Sequence, residues 1–386
     1  MRFSRRDFLA VSTVAFSAAS RLNAQMKHAK KTKGPVPPER VQYQIHPAVG
    51  VARLGNSPDS FYLEPQTIGG LPIECDAGGN PVMHDGQPVF VRRFKDERGR
   101  IKRQGAQFGI YAYDSADPSD PGREISLDDP TIESIEWTVH LANKKGAWYE
   151  NDELVGDVML AGATNANYYE KDSWHNWNVS DPATRFPRRQ WIIDPGPRKV
   201  SRPGEKVAFS RDNIPPGYTK GGFPKIYHDD PRVPYEINTL GDLLMDRQGR
   251  LVVLGGFGRA GGTEAIVTYT GQDTWFDDIS DGPVTCRLKL KGRSEPIVLK
   301  AWALVGSPKY APELRNISTL DDVMFDVGVR FMNLVPEMYR NGGFNPAYRS
   351  NYERDVQPIF DRIADYIWVA NLPSMVAFSA PRFNPR

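Results

Sequence analysis

Two cysteines, six histidines and a few clustered aspartates are the side chains from which this 386-residue chain would build chemistry. Asp277, Asp278 and Asp281 lie close together, and carboxylates so grouped line a cation site or an amine-binding pocket. Beside Gly282-Pro283 the same aspartates also read as turn formers. His228-Asp229-Asp230 and Trp174-His175-Asn176-Trp177 are further polar groups. The histidines show no close pairing, which argues against a dedicated zinc site, so no metal is expected. Gly255-Gly256-Phe257-Gly258-Arg259-Ala260-Gly261-Gly262 follows an apolar strand and invites a nucleotide-loop reading. Such a site needs a helix next, whereas Thr263 through Thr270 reads as a strand, and no Gly-Lys-Ser/Thr follows. The stretch is expected to be a loop.

The cysteines differ in setting. Cys75 sits in Glu74-Cys75-Asp76-Ala77-Gly78-Gly79, a loop, and Cys286 on the apolar face of an alternating strand. One intrachain disulfide is open to them; a buried free thiol at Cys286 is the simpler reading. A turn centred near Ser294 would set Cys286 across the ladder from Trp302, with opposed Cβ atoms ~5 Å apart. That pair is either ordinary core packing or a cross-link formed after tryptophan oxidation.

The elements that must carry these groups are mostly strands. Ile135, Trp137, Val139 and Leu141 alternate with polar residues, as do Val284, Cys286, Leu288 and Leu290. Val89-Phe90-Val91 and Phe108 to Tyr111 are shorter candidates. Leu243-Leu244-Met245 and Leu251 to Leu254, joined by Asp246-Arg247-Gln248-Gly249, read as a hairpin whose glycine supplies the turn. Ten prolines in residues 182–234 predict an irregular, extended region. Helix is expected only late: Ser318-Thr319-Leu320-Asp321 has capping-box character, and Ile359, Ile363, Ile367 and Ala370 form an amphipathic face within 355–372. No internal repeat stands out. The fold class is mainly β (α+β), with antiparallel strands, Pro/Gly-rich loops and a few helices near the C-terminus.

Ser4-Arg5-Arg6-Asp7-Phe8-Leu9 is a twin-arginine pattern, and the apolar run that follows is too short to span a bilayer. Residues 1–24 read as a removable signal, with cleavage after Ala24 and a periplasmic or secreted product. Of the net charge of +2, this segment carries +3 and residues 25–40 a further +4, leaving the rest at −5. The basic, Pro-ended segment 25–40 reads as a solvated, flexible arm. No aromatic residues interleave with its lysines, so nucleic acid is not an expected partner. Nor is a membrane, once the signal is gone. The remainder, with 34 Gly and 32 Pro in the chain, is long enough for a sizeable core.

Ile45 through Pro58, running on to Phe61-Tyr62-Leu63-Glu64-Pro65, resembles the opening signature of the L-lysine ε-oxidase and glycine oxidase family. Members of that family carry a protein-derived cysteine tryptophylquinone. Within the signature, Gly50 and Gly55 sit where a close approach or a positive φ is wanted. Ile193-Asp194-Pro195-Gly196-Pro197-Arg198, Leu240 to Leu243 with Asp246 to Gly256, and Trp275 to Val284 extend the resemblance in the same order. Residues 41–386 thus look like the family's N-terminal domain, without its C-terminal, cofactor-bearing half.

The resemblance implies oxidative deamination of an amino acid by the complete enzyme, with release of ammonia and hydrogen peroxide. The quinone is an electron sink there, while the protein supplies orientation and a base. It also implies a flavoprotein maturation partner, and the chain is then either a truncated gene product or one half of a split enzyme with a separately encoded C-terminal half. The apolar side chains of Leu372 to Phe378, which would meet that half, predict a homo-oligomer. The family draws its quinone residues from the C-terminal half, so no catalytic residue transfers to a position here and no cofactor is expected in this chain alone. A non-catalytic exported binding or assembly protein on the same scaffold is the alternative.

Overall fold

The structure is a computed structural model that describes residues 37–66, 70–117, 120–145, 192–219, 221–224, 237–261, 276–308 and 314–366. The signal, most of the basic arm, Trp174 to Trp177, His228 to Asp230 and Thr263 to Thr270 lie outside the described residues, as do Ile367, Ala370 and Leu372 to Phe378. The arm ends earlier than expected. Pro38–Arg40 forms a 3-10 turn, and the Arg40 guanidinium pairs with Asp114.

The first strands are β1 (Val41–His46), β2 (Val49–Arg53), β3 (Phe61–Leu63), β4 (Met83–His84), β5 (Gln87–Pro88) and β6 (Arg103–Asp114). There follow β7 (Arg123–Ile125), β8 (Ile132–Val139), β9 (Arg198–Val200), β10 (Lys206–Ser210), β11 (Thr239–Met245) and β12 (Leu251–Gly255). Next come β13 (Ala260–Gly261), β14 (Phe276–Asp277), β15 (Ser280–Leu290) and β16 (Ile297–Gly306), then β17 (Tyr339–Arg340) and β18 (Gly343–Phe344). Twelve of these make one sheet, in the order β10-β11-β12-β6-β2-β16-β15-β8-β9, with β1, β3 and β7 also paired to β6. All its ladders are antiparallel except β16 with β2 and β3 with β6.

The sheet bends into a near-barrel, and Arg198 latches its ends. From β9 its Nε donates to Ala208 O and its Nη2 to Ser210 O on β10, while Nη1 gathers the carbonyls of Pro195, Gly196 and Pro197. Inside, Trp137, Phe108, Phe209, Ile135, Leu141, Ile193 and Leu240 are fully buried, each side chain contributing about 1.5–3 kcal/mol by leaving water. The expected alternation on β8 and β15 holds: Ile135, Trp137 and Val139 face inward, as do Val284, Cys286 and Leu288.

Several sequence expectations are adjusted. The Phe108–Tyr111 candidate is the middle of a twelve-residue strand, because β6 is buried on both sides and needs no alternation. Val89-Phe90-Val91 is not a strand but a single bridge from Phe90 to Ile73. The late helix caps on Thr319 rather than Ser318: Thr319 Oγ accepts from Asp322 N, and Asp322 Oδ2 accepts from Thr319 N. That helix runs Leu320–Phe331; the last is shorter than 355–372, a π turn at Tyr352–Val356 leading into Gln357–Asp365. Gly50 and Gly55 are sites of close approach, a Cβ on them falling 2.5 Å from Phe108 Cζ and 2.7 Å from Ile101 O.

A repeat does exist, though a short one. Asp76, Asp96 and Asp246 each open a turn with glycine at i+3 (Gly79, Gly99, Gly249), all at positive φ. In each, one carboxylate oxygen accepts the N–H groups at i+2 and i+4, and the side chain at i+4 (Asn80, Arg100, Arg250) closes onto the carboxylate. The glycine is required because a Cβ resists that backbone conformation.

Candidate functional site

Where β8 ends, the chain stays attached to β15 and to the segment before β9. His140 N–H donates to Pro283 O, Ala142 bridges Asp281, and Asn143 bridges Ile193. This brings three polar side chains together. His140 Nε2 lies 2.7 Å from Asp194 Oδ1, the Tyr218 hydroxyl donates to Asp194 Oδ2 at 2.8 Å, and the two rings meet edge-on at 5.7 Å. Asp194 is fixed in turn by Gly196 N–H, which donates to Oδ1 in the Asp-Pro-Gly-Pro turn. His140 remains about one-third exposed.

Burial works against the Asp194 charge, yet the hydrogen bonds from His140, Tyr218 and Gly196 outweigh it and hold the carboxyl below its ordinary value. Burial, and then the bond to Asp194, push the Tyr218 phenol up to about 12. A charged Asp194 therefore orients Nε2–H of the imidazole and leaves Nδ1 as the ring's acceptor. Tyr218 stays protonated beside it. The group contains no nucleophile.

The three aspartates named from the sequence do not converge on one ligand. Asp277 Oδ1 accepts from Asn143 Nδ2 at 2.7 Å and its Oδ2 from Lys145 Nζ at 2.8 Å. Asp278 turns the other way, accepting N–H groups of Gly258 and Arg259. Its carboxyl is pushed up to about 6, chiefly by burial. Asp281 accepts the indole N–H of Trp302 at 3.1 Å. The glycine-rich loop is thus a backbone cradle already filled by Asp278, and a Cβ on Gly256 would sit 2.5 Å from Oδ2. Among the described residues, no three of His, Cys, Asp and Glu are grouped to hold a metal.

The register also overturns the proposed Cys286–Trp302 juxtaposition. The β15–β16 turn is centred between residues 292 and 293, not at Ser294, so Cys286 opposes Leu299 and Trp302 opposes Pro283. A shift of this odd size puts the two side chains on opposite faces of the sheet. Cys286 does oppose Trp137 on β8. Both are fully buried, and Trp137 Nε1 donates to Gly249 O, so that pair is core packing. Cys75 and Cys286 are both free thiols. Burial pushes Cys75 up to about 12 and Cys286 well above its usual range, so neither is a ready thiolate.

Two buried polar residues had no sequence signal. Glu64 accepts Val51 N–H and Gln107 N–H, and burial raises its carboxyl to about 8 despite those bonds and nearby Arg53. Arg103 donates from Nη1 to Asp242 and Gly255 O, and from Nη2 to Pro58 O, under the Phe257 ring. His140 and Tyr218 went unseen as well, standing 54 and 24 residues from Asp194, with no motif to connect them.

With this geometry in place, the chain was compared with known proteins. Residues 46–305 match the family model described as L-lysine epsilon oxidase N-terminal. The L-lysine 6-oxidase of Marinomonas mediterranea is 44% identical over 345 residues, which is 89% of this chain and 45% of that protein. The structure of the epsilon-lysine oxidase from the same organism superposes with a TM-score of 0.73 at 42% identity, covering 89% of this chain and 48% of the other. The Schiff base intermediate of that oxidase with L-Lys gives a TM-score of 0.70 at 42% identity, over 87% and 46% of the two chains. The chain therefore spans about half the length of the relatives it matches.

Proposed function

Since the chain belongs to the L-lysine ε-oxidase N-terminal family, we propose that it is the N-terminal portion of an exported quinoprotein amino-acid oxidase. Complete, such an enzyme deaminates an amino acid oxidatively and releases ammonia and hydrogen peroxide. The observation that carries this reading is the match of residues 46–305, together with a superposition covering 89% of the chain.

Cysteine tryptophylquinone, when present, supplies the two-electron sink for amine oxidation. The described residues of this chain do not fit it: Cys286 and Trp302 face opposite sides, and Cys286 and Trp137 are sealed in the core. The part we assign to this chain is to frame the site, with the His140–Asp194–Tyr218 group as its proton-accepting edge. A C-terminal half that bears the quinone and a flavoprotein that matures it complete the proposal.

The purified chain is expected to show no quinone band in the visible spectrum and no peroxide release from lysine, glycine or other amines. Intact mass, visible absorption and a peroxide assay on protein matured in its native host make the check. A two-oxygen gain on a tryptophan, with a thioether to Cys286 or Cys75 and steady peroxide release, would make the chain an oxidase by itself.

Export has its own test. Changing Arg5 and Arg6 together to Lys should leave the precursor in the cytoplasm, because the receptor reads the paired guanidinium groups rather than charge alone. Normal accumulation of that double variant outside the cytoplasm would show that the signal is something else.

A further inference from the structure

The end of the sheet where β6 begins carries a surface that the oxidase reading does not use. Two small hairpins project there. One is β4–β5, tied to the chain at Ile73 through Phe90; the other closes with the Lys95–Ile101 bridge around the Asp96 turn. Val82, Met83 and Phe90 are 40%, 56% and 50% exposed on the first. Met83 opposes Pro88 across the ladder, and Phe90 is exposed where its neighbour Val91 is buried.

Arg92, Arg93, Lys95 and Arg98 follow directly, all exposed. Among the described residues none has a carboxylate partner, whereas neighbouring Arg100 and Lys102 are paired with Asp96 and Glu74. The acids on this surface are fewer: Glu97 and Asp85 are exposed, and Asp96 is spent on Ser57 and Arg100. At the far end of β6, roughly 35–40 Å away for twelve extended residues, the cations are paired. Asp114, Asp117 and Asp120 lie there, and Arg40 and Arg123 are each tied to a carboxylate.

We propose that the 82–98 hairpin surface is a peripheral docking site for an anionic lipid surface, which it meets with exposed apolar side chains ringed by unpaired cations. Interleaved apolar and cationic groups suit the headgroup layer, where affinity is the sum of buried apolar area and attraction to anionic lipids. An acidic polypeptide would use the cations but leave Met83 and Phe90 without a purpose. This departs from the expectation of no membrane partner once the signal is gone. The described residues contain no helix able to cross a bilayer.

The test is co-sedimentation of the purified protein with vesicles of phosphatidylcholine containing ~30% phosphatidylglycerol, against pure phosphatidylcholine. Binding is expected only to the anionic vesicles and is expected to fade between low and high salt. At roughly fivefold per charge near the surface, the four-charge change of R92E/R93E should weaken it by at least about 100-fold. Both side chains are exposed, so an unchanged unfolding midpoint confirms that the variant is folded. Phe90→Ser should weaken binding several-fold at every salt concentration. The basic residues Lys27 to Lys33 supply an alternative anchor, so the same comparison is run on protein lacking residues 1–36. Overturning results are no anionic binding at low salt, binding untouched by R92E/R93E or abolished only by loss of the arm, or capture of polyglutamate in place of vesicles.

Discussion

Replacing Arg103 by methionine is expected to lower folding stability by about 3–5 kcal/mol, the usual consequence of breaking a buried ion pair from one side. Arg103 is 1% exposed and its Nη1 lies 2.9 Å from Asp242 Oδ2. The remaining partner, Lys206 at 3.5 Å, is half exposed and holds Asp242 only from the solvent side. The variant also strips donors from the carbonyls of Gly255 and Pro58, the first of them buried. Three separate segments would loosen together: the Pro58 turn, β11 and the loop after β12. Denaturant unfolding of the two proteins measures the loss. A second variant, R103M/D242L, should recover part of it, because it removes the stranded charge as well. A cost below 1 kcal/mol for R103M, or no recovery in the double variant, would show that the network adds little.

That network explains what the Ile45–Pro58 signature does in this fold. Its residues make structural ties: Asn56 Oδ1 accepts from Ile101 N, Ser57 Oγ donates to Asp96, and Pro58 O receives Arg103. A segment that many distant partners hold in place tolerates little change, so it was readable as a resemblance. Hairpins and alternating strands were legible because their physics is local. Asp246 to Gly249 closes its own turn, and the inward face of β8 or β15 is written in a period of two. The β15–β16 register was not legible. Its turn holds Lys291 through Glu295, any of which can mark the centre, and one wrong choice moved Trp302 to the other face. The His140–Asp194–Tyr218 group was illegible for a different reason: its members meet only after β8, β9 and the 214–222 segment have packed. The cations Arg92, Arg93, Lys95 and Arg98 carried no signal in the sequence reading, and that they lack carboxylate partners among the described residues is a fact of three dimensions.

The second large effect is one of pH, and it centres on Glu64. Folded, this carboxyl titrates at about 8 against an ordinary 4.5, because burial penalises its charge more than the Val51 and Gln107 N–H groups and Arg53 favour it. Between those values the folded chain holds a proton that the unfolded chain has released. Stability therefore falls as pH rises from about 4.5 to about 8, at up to roughly 1.4 kcal/mol per unit from this group, and levels off above. Asp278, raised to about 6, adds a slope of the same sign over a narrower window. Glu64→Gln separates the two, since the amide carries no titrating proton in either state. The amide oxygen can accept only one of the two N–H groups, so the variant should start about 1–3 kcal/mol less stable at pH 5. The gap should shrink or invert by pH 9, where the wild-type carboxylate has taken its full penalty. Unfolding midpoints measured across that range decide it. Parallel curves for the two proteins would mean that Glu64 stays ionised throughout, held by its two backbone donors against the cost of burial.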